Sequence, residues 1–275
     1  MVVQKGSLLS INHTWYGAPE KQEERSADVI SIWHCPVPVP GASCREAAPT
    51  LVIDLTQSLE EIWSNISKKT RQKIRQAERD NLVFSMTETP GENDMNAFFD
   101  FLDAFRAWKN LRPSHFSRTR GLVRSFASSG RLRLSKISTP EGKTLTWELY
   151  LVTNRATNLT GASNPHYRFS AQSDERQLLG RADRSHLWQD IRYFKEKGVP
   201  IYDFGGWYSG KTDPEMLNIN RFKEEFGGKV VKVYKCWHGI SLKGKLCLGC
   251  YLLLQDLRSL RQGHGTEPPA HSTSH

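Results

Sequence analysis

The 275-residue sequence predicts a mixed α/β (α+β) sheet protein. Strands and helices alternate along it around a central hairpin, the pattern of a sheet covered by helices. No G-x-G-x-x-G follows a first strand, which argues against a doubly wound nucleotide fold. The 8 Trp, 8 Tyr and 12 Phe supply a core and exclude a wholly disordered chain.

The first 48 residues read as irregular and strand-like. Val29 to Trp33 alternates, and Pro36 to Pro40 breaks the run. Thr50 to Leu55 reads as a short buried strand. Thr56, Ser58 and Glu60 supply capping chemistry for a helix reaching about Asn81. Leu82 to Thr87 reads as a strand, and Pro90-Gly91 as a break. Met95, Phe98, Phe99, Leu102 and Phe105 recur at helical spacing in a helix over Asp94 to Lys109. Phe116 to Ala127 is a shorter helix.

Arg131 to Ser138 and Thr144 to Thr153 form the hairpin, turning at Pro140-Glu-Gly142. Asn158 to Asn164 is a further strand. After a loop, a helix runs from about Asp183 to Lys197, with Leu187, Trp188, Ile191 and Phe194 inward and Gly198 as its stop. Pro200 to Phe204 is a buried strand. Asp213-Pro214 is a cap and first-turn pair opening a helix with Ile219, Phe222 and Phe226 on one face. Lys229 to Trp237 and Lys245 to Leu253 read as closing strands. The polar tail from Gln262 reads as disordered.

Lys and Arg number 38 against 29 Asp and Glu, a net charge of +9. That excess favours an anionic partner such as a phosphate, nucleotide, nucleic acid or membrane surface. The longest apolar run, Leu246 to Leu254, is far short of the ~20 residues that span a bilayer. Met1 to Ser10 has no sustained apolar stretch of a secretory signal. Five cysteines, an odd number, fit reduced thiols, so a cytoplasmic location is expected. Cys247-Leu-Gly-Cys250 has zinc-ligand spacing, but a second such pair is missing and the segment reads as a buried strand. No metal site is expected.

Three constellations carry candidate chemistry. Lys68, Arg71, Arg75 and Arg79 fall within about 80° of one another on a helical wheel, opposite Ile62, Ile66, Ile74 and Ala77. Lys68, Arg71 and Arg75 are therefore candidate phosphate ligands. Gln177-Leu-Leu-Gly180-Arg181-Ala182 precedes the expected helix start. It fits the Q/R-x-x-G-x-G/A loop with which CoA-dependent acetyltransferases hold a pyrophosphate, where Arg181 and Arg184 would add charge. The third is Ile201-Tyr-Asp-Phe-Gly-Gly-Trp207, followed by Asn220-Arg-Phe-Lys-Glu-Glu-Phe-Gly-Gly228. There Asp203 ends a strand, and Lys223 lies beside Phe222 and Phe226, placed to offer a cation to an acyl carbonyl or a phosphate. Trp63, Trp207 and Tyr208 are candidates for stacking on bases.

The run from Asp54 to Leu82, with Ser67-Lys-Lys-Thr-Arg-Gln-Lys-Ile-Arg-Gln-Ala-Glu-Arg79, resembles the basic helix of the FemABX family. His186 to Gly198, Tyr202-Asp-Phe-Gly-Gly206 and Phe222-Lys-Glu-Glu-Phe-Gly-Gly228 resemble its C-terminal signature. The resemblance implies a GNAT-like acyltransferase fold, often built as two related halves. It implies transfer of an amino acid from aminoacyl-tRNA to an amine, which in characterised members is on a peptidoglycan precursor. Phe222 and Lys223 match the family's Phe-Lys pair near the reacting aminoacyl end, and the basic helix would lie near a phosphate-bearing substrate.

The expected organisation is a trimmed N-terminal GNAT-like half over residues 1–88, a C-terminal GNAT-like acyltransferase domain over 89–258, and a disordered tail over 259–275. The expected function is a FemABX-like N-acyltransferase that joins an aminoacyl group to an amine acceptor without a tightly bound cofactor. No nucleophile triad is visible, so direct transfer is expected. Lys223 would stabilise charge with Phe222 beside it, and Asp203 would orient or handle a proton. Lys68, Arg71, Arg75, Gln177, Gly180, Arg181, Arg184, Trp207 and Tyr208 would contact substrate or phosphate. Two donors stay open, the acceptor stem of an aminoacyl-tRNA and an acyl-CoA. A non-catalytic RNA- or phosphate-binding protein on the same fold is the reading from another class.

Overall fold

The structure, a computed structural model, describes residues 2–5, 9–15, 27–109, 120, 123, 126 and 130–263. Along the chain the first elements are β1 (Val2–Lys5), β2 (Ser10–Trp15), β3 (Val29–Cys35), β4 (Cys44–Ala47) and β5 (Thr50–Asp54). Then come α1 (Leu59–Asn65), α2 (Lys68–Arg79), β6 (Val83–Thr87) and α3 (Glu92–Trp108). The hairpin β7 (Leu132–Ser138) and β8 (Thr144–Val152) is followed by β9 (Ala156–Ser163), α4 (Pro165–Arg168) and α5 (Ser173–Glu196). The chain closes with β10 (Ile201–Asp203), α6 (Pro214–Glu224), β11 (Lys229–Val231), β12 (Tyr234–Gly239) and α7 (Leu242–Gly263). Among the described residues no helix is long and apolar enough to cross a membrane.

The elements fall into two units. One joins Val3–Glu46 to the chain from Tyr234 onward, and the other is Ala47–Val233. The first holds a five-stranded sheet in the order β1-β2-β3-β12-β4. Consecutive residues of β3 are buried, because both of its neighbours pair with it and α7 lies nearby in the same unit, so the alternation expected over Val29 to Trp33 is absent.

The second unit holds a seven-stranded sheet in the order β11-β5-β10-β9-β8-β7-β6. All its neighbours are antiparallel except β9 and β10, which run parallel. Leu51, Ile53, Ile62, Ile66 and Ile74 pack with Leu187, Trp188, Ile191, Phe194 and Tyr202, so α1, α2 and α5 close over β5 and β10. The boundary expected at residue 88 is not a domain edge. β5, α1 and α2 belong to the same unit as the hairpin, and β6 completes the sheet by pairing with β7.

The structure corrects four further expectations. The helix expected to reach Asn81 is two helices. Ser58 and Glu61 form a reciprocal capping box for α1, buried Ile66 takes an extended conformation, and Ser67 caps α2 through Thr70. The helix expected from Asp183 starts at Ser173, and Leu179 and Ala182 extend its buried face by about one turn. Lys229 to Trp237 is two strands in different sheets. Lys245 to Leu253 is helical, within α7, and Cys247 and Cys250 are exposed on it rather than buried in a strand. A short apolar run has no period that separates strand from helix. Of the helix expected over Phe116 to Ala127, Arg120, Val123 and Phe126 are described and helical. The rest of it, and the tail from residue 264, lie outside the described residues.

Candidate functional site

The site is set by a divergence of two strands. β10 pairs with β9 only at Tyr202–Ala156 and Asp203–Thr157, whereas β9 continues to Ser163. From Asn158 onward β9 has its β8 neighbour alone, and the sheet opens. Gly205 makes the turn away from β9. Its φ is +71°, and a Cβ there would stand 1.8 Å from the Asn158 carbonyl oxygen, so backbone packs on backbone.

Asp203 anchors this turn. It accepts from Thr50 Oγ1 at 2.5 Å, from Arg155 at 3.0 Å and from the Gly205 N–H at 2.9 Å. Its carboxylate is wholly buried and committed to these donors. The structure therefore gives Asp203 a framing place and does not bring it to the open face, which corrects its expected part in proton handling.

Lys223 does reach the open region. The Asp213 side chain caps α6 through the N–H groups of Glu215 and Met216, with Pro214 in the first turn. Asn220 fixes the loop that precedes α6 by a reciprocal pair of hydrogen bonds with the Tyr208 backbone, at 3.1 and 2.8 Å. Lys223, one turn on, donates to the Gly206 carbonyl at 2.6 Å. Burial lowers its pKa, while Asp203 and Glu148 act against that shift. Phe222 packs edge-on against Phe226 and beneath the Arg184 guanidinium, 5.0 Å from its ring centre. Trp207 is partly buried against the core, and the Tyr208 ring packs on Gly210.

Glu148 is the residue that sequence reasoning missed. It lies on β8 opposite Gly161, beside the stretch of β9 that β10 has left. Its Oε2 accepts from Asn158 at 2.7 Å. Burial pushes its pKa up to about 8; the Asn158 hydrogen bond opposes this, Asp190 and Asp183 add to it, and Lys223 opposes it. The one sequence signal is a carboxylate in the middle of an otherwise uncharged strand.

Behind Glu148 runs a buried polar chain. Tyr150 donates to Asp190 at 2.7 Å and shares a 2.8 Å hydrogen bond with Tyr202. Burial raises Asp190 to about 7. His186 hydrogen-bonds Ser135 at 2.8 Å and Thr146 at 2.7 Å, and burial lowers its pKa to about 3. Ser135, His186 and Asp190 are all buried, so they are no substrate-facing nucleophile set. Among the described residues no group of three His, Cys, Asp or Glu is placed to hold a metal.

The cations are distributed differently from the row read on the wheel. Arg71 donates to the carbonyls of Trp63, Ser64 and Ile66 and so closes the C-terminus of α1. Arg75 lies over Trp63, which packs on Trp188. Lys68 is exposed. Gln177, Gly180 and Arg181 lie inside α5, where backbone N–H groups serve the helix and cannot converge on an anion. The expected pyrophosphate loop is thus absent at this motif. Arg181 pairs with Asp80 at 2.5 Å, and Arg184 with Glu225 at 2.6 Å.

No protein-family model matches the sequence, and no curated protein matches it. Among solved structures, the chain superposes on the crystal structure of FemX with a TM-score of 0.61 at 12% identity, covering 85% of this chain and 82% of that one. The chain has a FemX-like fold. It is also similar to the C-terminal domain of a putative lysylphosphatidylglycerol synthetase from Agrobacterium fabrum, with a TM-score of 0.49, 13% identity and coverages of 92% and 84%. For L-PGS from Bacillus licheniformis the TM-score is 0.49, the identity 9% and the coverages 91% and 84%. At these identities the likeness is one of fold: the mixed sheet is GNAT-like, as the resemblance implied. Within this FemX-like sheet, Lys223 and Glu148 approach the same strand divergence from α6 and β8.

Proposed function

We propose that the protein is an N-acyltransferase that moves an aminoacyl group from aminoacyl-tRNA to an amine, forming an amide. The observation that carries this reading is the placement beside the opened β9 edge of the Glu148 carboxylate, bonded to Asn158 opposite Gly161, with the Lys223 ammonium held on the Gly206 carbonyl. In such a reaction the amine nitrogen attacks the ester carbonyl. The carbonyl oxygen becomes an oxyanion, and the attacking nitrogen must lose a proton. Lys223 is suited to the first need, because a cation held by a backbone carbonyl in a dry site needs little reorganisation. Glu148 is suited to the second, because a carboxylate titrating at about 8 is matched to a near-neutral amine reaction. The ribose oxygen leaves as the ester C–O bond breaks and takes up the proton that Glu148 received from the amine, and Phe222 supplies an apolar wall beside Lys223.

The tRNA donor is favoured over CoA because Gln177–Ala182 is helical and offers no anion-binding loop. The net charge of +9 suits an RNA partner. The test is to incubate the protein with tRNA charged with labelled amino acids and a panel of amines. The expected product is an amide that survives the mild base that cleaves aminoacyl esters. Product formed only with an acyl-CoA panel would overturn the donor. Absence of turnover with either donor, with RNA still bound, would instead leave a binding protein.

A further inference from the structure

α7 carries two apolar faces, and its own unit covers one of them. Ser241 fixes the start of the helix: its Oγ accepts from the Gly244 N–H at 3.0 Å and donates to the Asp28 carboxylate at 2.6 Å. A Cβ on Gly244 would stand 1.9 Å from the Asp28 carbonyl oxygen, so this end of the helix lies directly on backbone. Leu248, one turn on, is buried, and Tyr251 packs on Trp237 of β12. The opposite face is open. Leu242, Leu246, Leu253 and Leu254 are 76%, 63%, 65% and 55% exposed, and Cys250 is exposed among them. A run of large apolar side chains left in water along one helix face marks an interaction surface.

The spacing along this face selects its occupant. Leu246, Cys250, Leu253, Leu257 and Leu260 recur at intervals of four, three, four and three residues, which places them within about 80° of one another on a helical wheel. That is the seam of a two-stranded coiled coil, with Leu246, Leu253 and Leu260 at d positions and Lys243, Cys250 and Leu257 at a positions. A helix lying on a lipid surface needs a broad apolar face and no such interval. A lone lysine among the a positions is a known device for fixing register and strand number. The flanks add charge complementarity. Asp256 takes a g position, and Arg261 takes the e position five residues on, the spacing at which opposite charges meet between two parallel strands. We propose that α7 pairs with α7 of a second copy of this chain as a parallel two-stranded coiled coil, anchored by Leu246, Leu253 and Leu260. Asp256 then meets Arg261 of the partner subunit twice, by symmetry, and Cys250 faces its own counterpart. The pairing does not rest on Lys223, Glu148 or the acyltransferase reading.

The test is the mass of the full chain in solution, read by sedimentation equilibrium across a concentration series. The wild type should approach twice the 31.4 kDa of one chain. Leu246→Glu/Leu253→Glu should weaken pairing by more than about a hundredfold, because these leucines leave water only in the pair. Both are exposed in the single chain, so the variant should melt near the wild type. Asp256→Arg and Arg261→Asp should each weaken pairing about fivefold, and the two together should restore it. Oxidation with diamide, which takes up the two electrons and two protons released by a pair of thiols, should join two chains through Cys250. The joined species should be lost in Cys250→Ser and kept in Cys44→Ser/Cys247→Ser. A wild type that stays monomeric overturns the pairing, and one that is monomeric but binds vesicles of anionic phosphatidylglycerol gives the face to a lipid surface instead. A dimer left intact by Leu246→Glu/Leu253→Glu also overturns it. Pairing that the leucine variant weakens but the charge swap does not restore overturns the parallel register.

Discussion

Glu148 and Gly161 face each other across β8 and β9, and the glutamate carboxylate occupies the space a side chain at 161 would fill. A Cβ on residue 161 would lie 2.0 Å from Glu148 Oε2. Gly161→Ala should therefore displace the carboxylate without unfolding the sheet, since the obstructing atoms are the far end of a side chain. The expected result is a near-native melting temperature with turnover reduced as far as in Glu148→Gln. Full activity in folded Gly161→Ala would remove Glu148 from the reaction.

The pH dependence of the rate follows from the same residue. A base titrating at about 8 should give turnover that rises with pH and levels off above that value. Glu148→Gln should lose this limb and about 10²–10⁴-fold in rate. A limb that persists in the variant assigns the titration to another group.

Lys223→Met should reduce turnover by about 10²–10³-fold, the usual cost of removing one oxyanion partner. RNA hairpin affinity should be unchanged, because the ammonium is committed to the Gly206 carbonyl. Single-turnover kinetics beside a binding titration separates the two effects. Equal losses in both would make Lys223 a substrate-binding group.

Asp203→Ala should destabilise the protein by about 3–5 kcal/mol, because it removes a buried carboxylate that accepts from the buried Arg155 guanidinium, from Thr50 and from the Gly205 N–H. Denaturant titration measures this. An unchanged midpoint with lost turnover would return Asp203 to a chemical part.

Stability should fall as pH rises through neutrality. The folded protein keeps a proton on Glu148 up to about 8, whereas the unfolded chain releases it near the usual glutamate value of 4.5. That contribution is complete below about 4.5 and is lost towards 8, on the order of a few kcal/mol. Asp190, raised to about 7, acts in the same direction. His186, lowered to about 3, acts oppositely: its stabilisation is present above about 6.5 and lost below it. The His186 and Asp190 slopes offset one another between about 4 and 6.5, so the Glu148 slope should stand out there and continue to 8. Chemical denaturation at several pH values should show it, flattened in Glu148→Gln.

Much of this protein was legible in its sequence. Apolar spacing placed α3, the β7–β8 hairpin and the α6 start, because period and capping are local properties. The Phe222-Lys223 pair and the glycines after Asp203 were legible as a motif, and the resemblance they carried led to the fold. Tertiary structure decided the rest. Arg71 looked like a free cation until the end of α1 came within its reach, and Gln177–Ala182 looked like a loop until Leu179 and Ala182 found a core to enter. Glu148 gained its raised pKa only when the sheet buried it, and Lys73 met Arg184 only when α2 packed on α5. Local periodicity fixes which residues share a face, whereas desolvation and charge crowding depend on what that face meets. For that reason the sequence determined the locally patterned elements and the Phe222-Lys223 motif, whereas packing decided the elements that lack a local period and which ionisable groups lie in the candidate site.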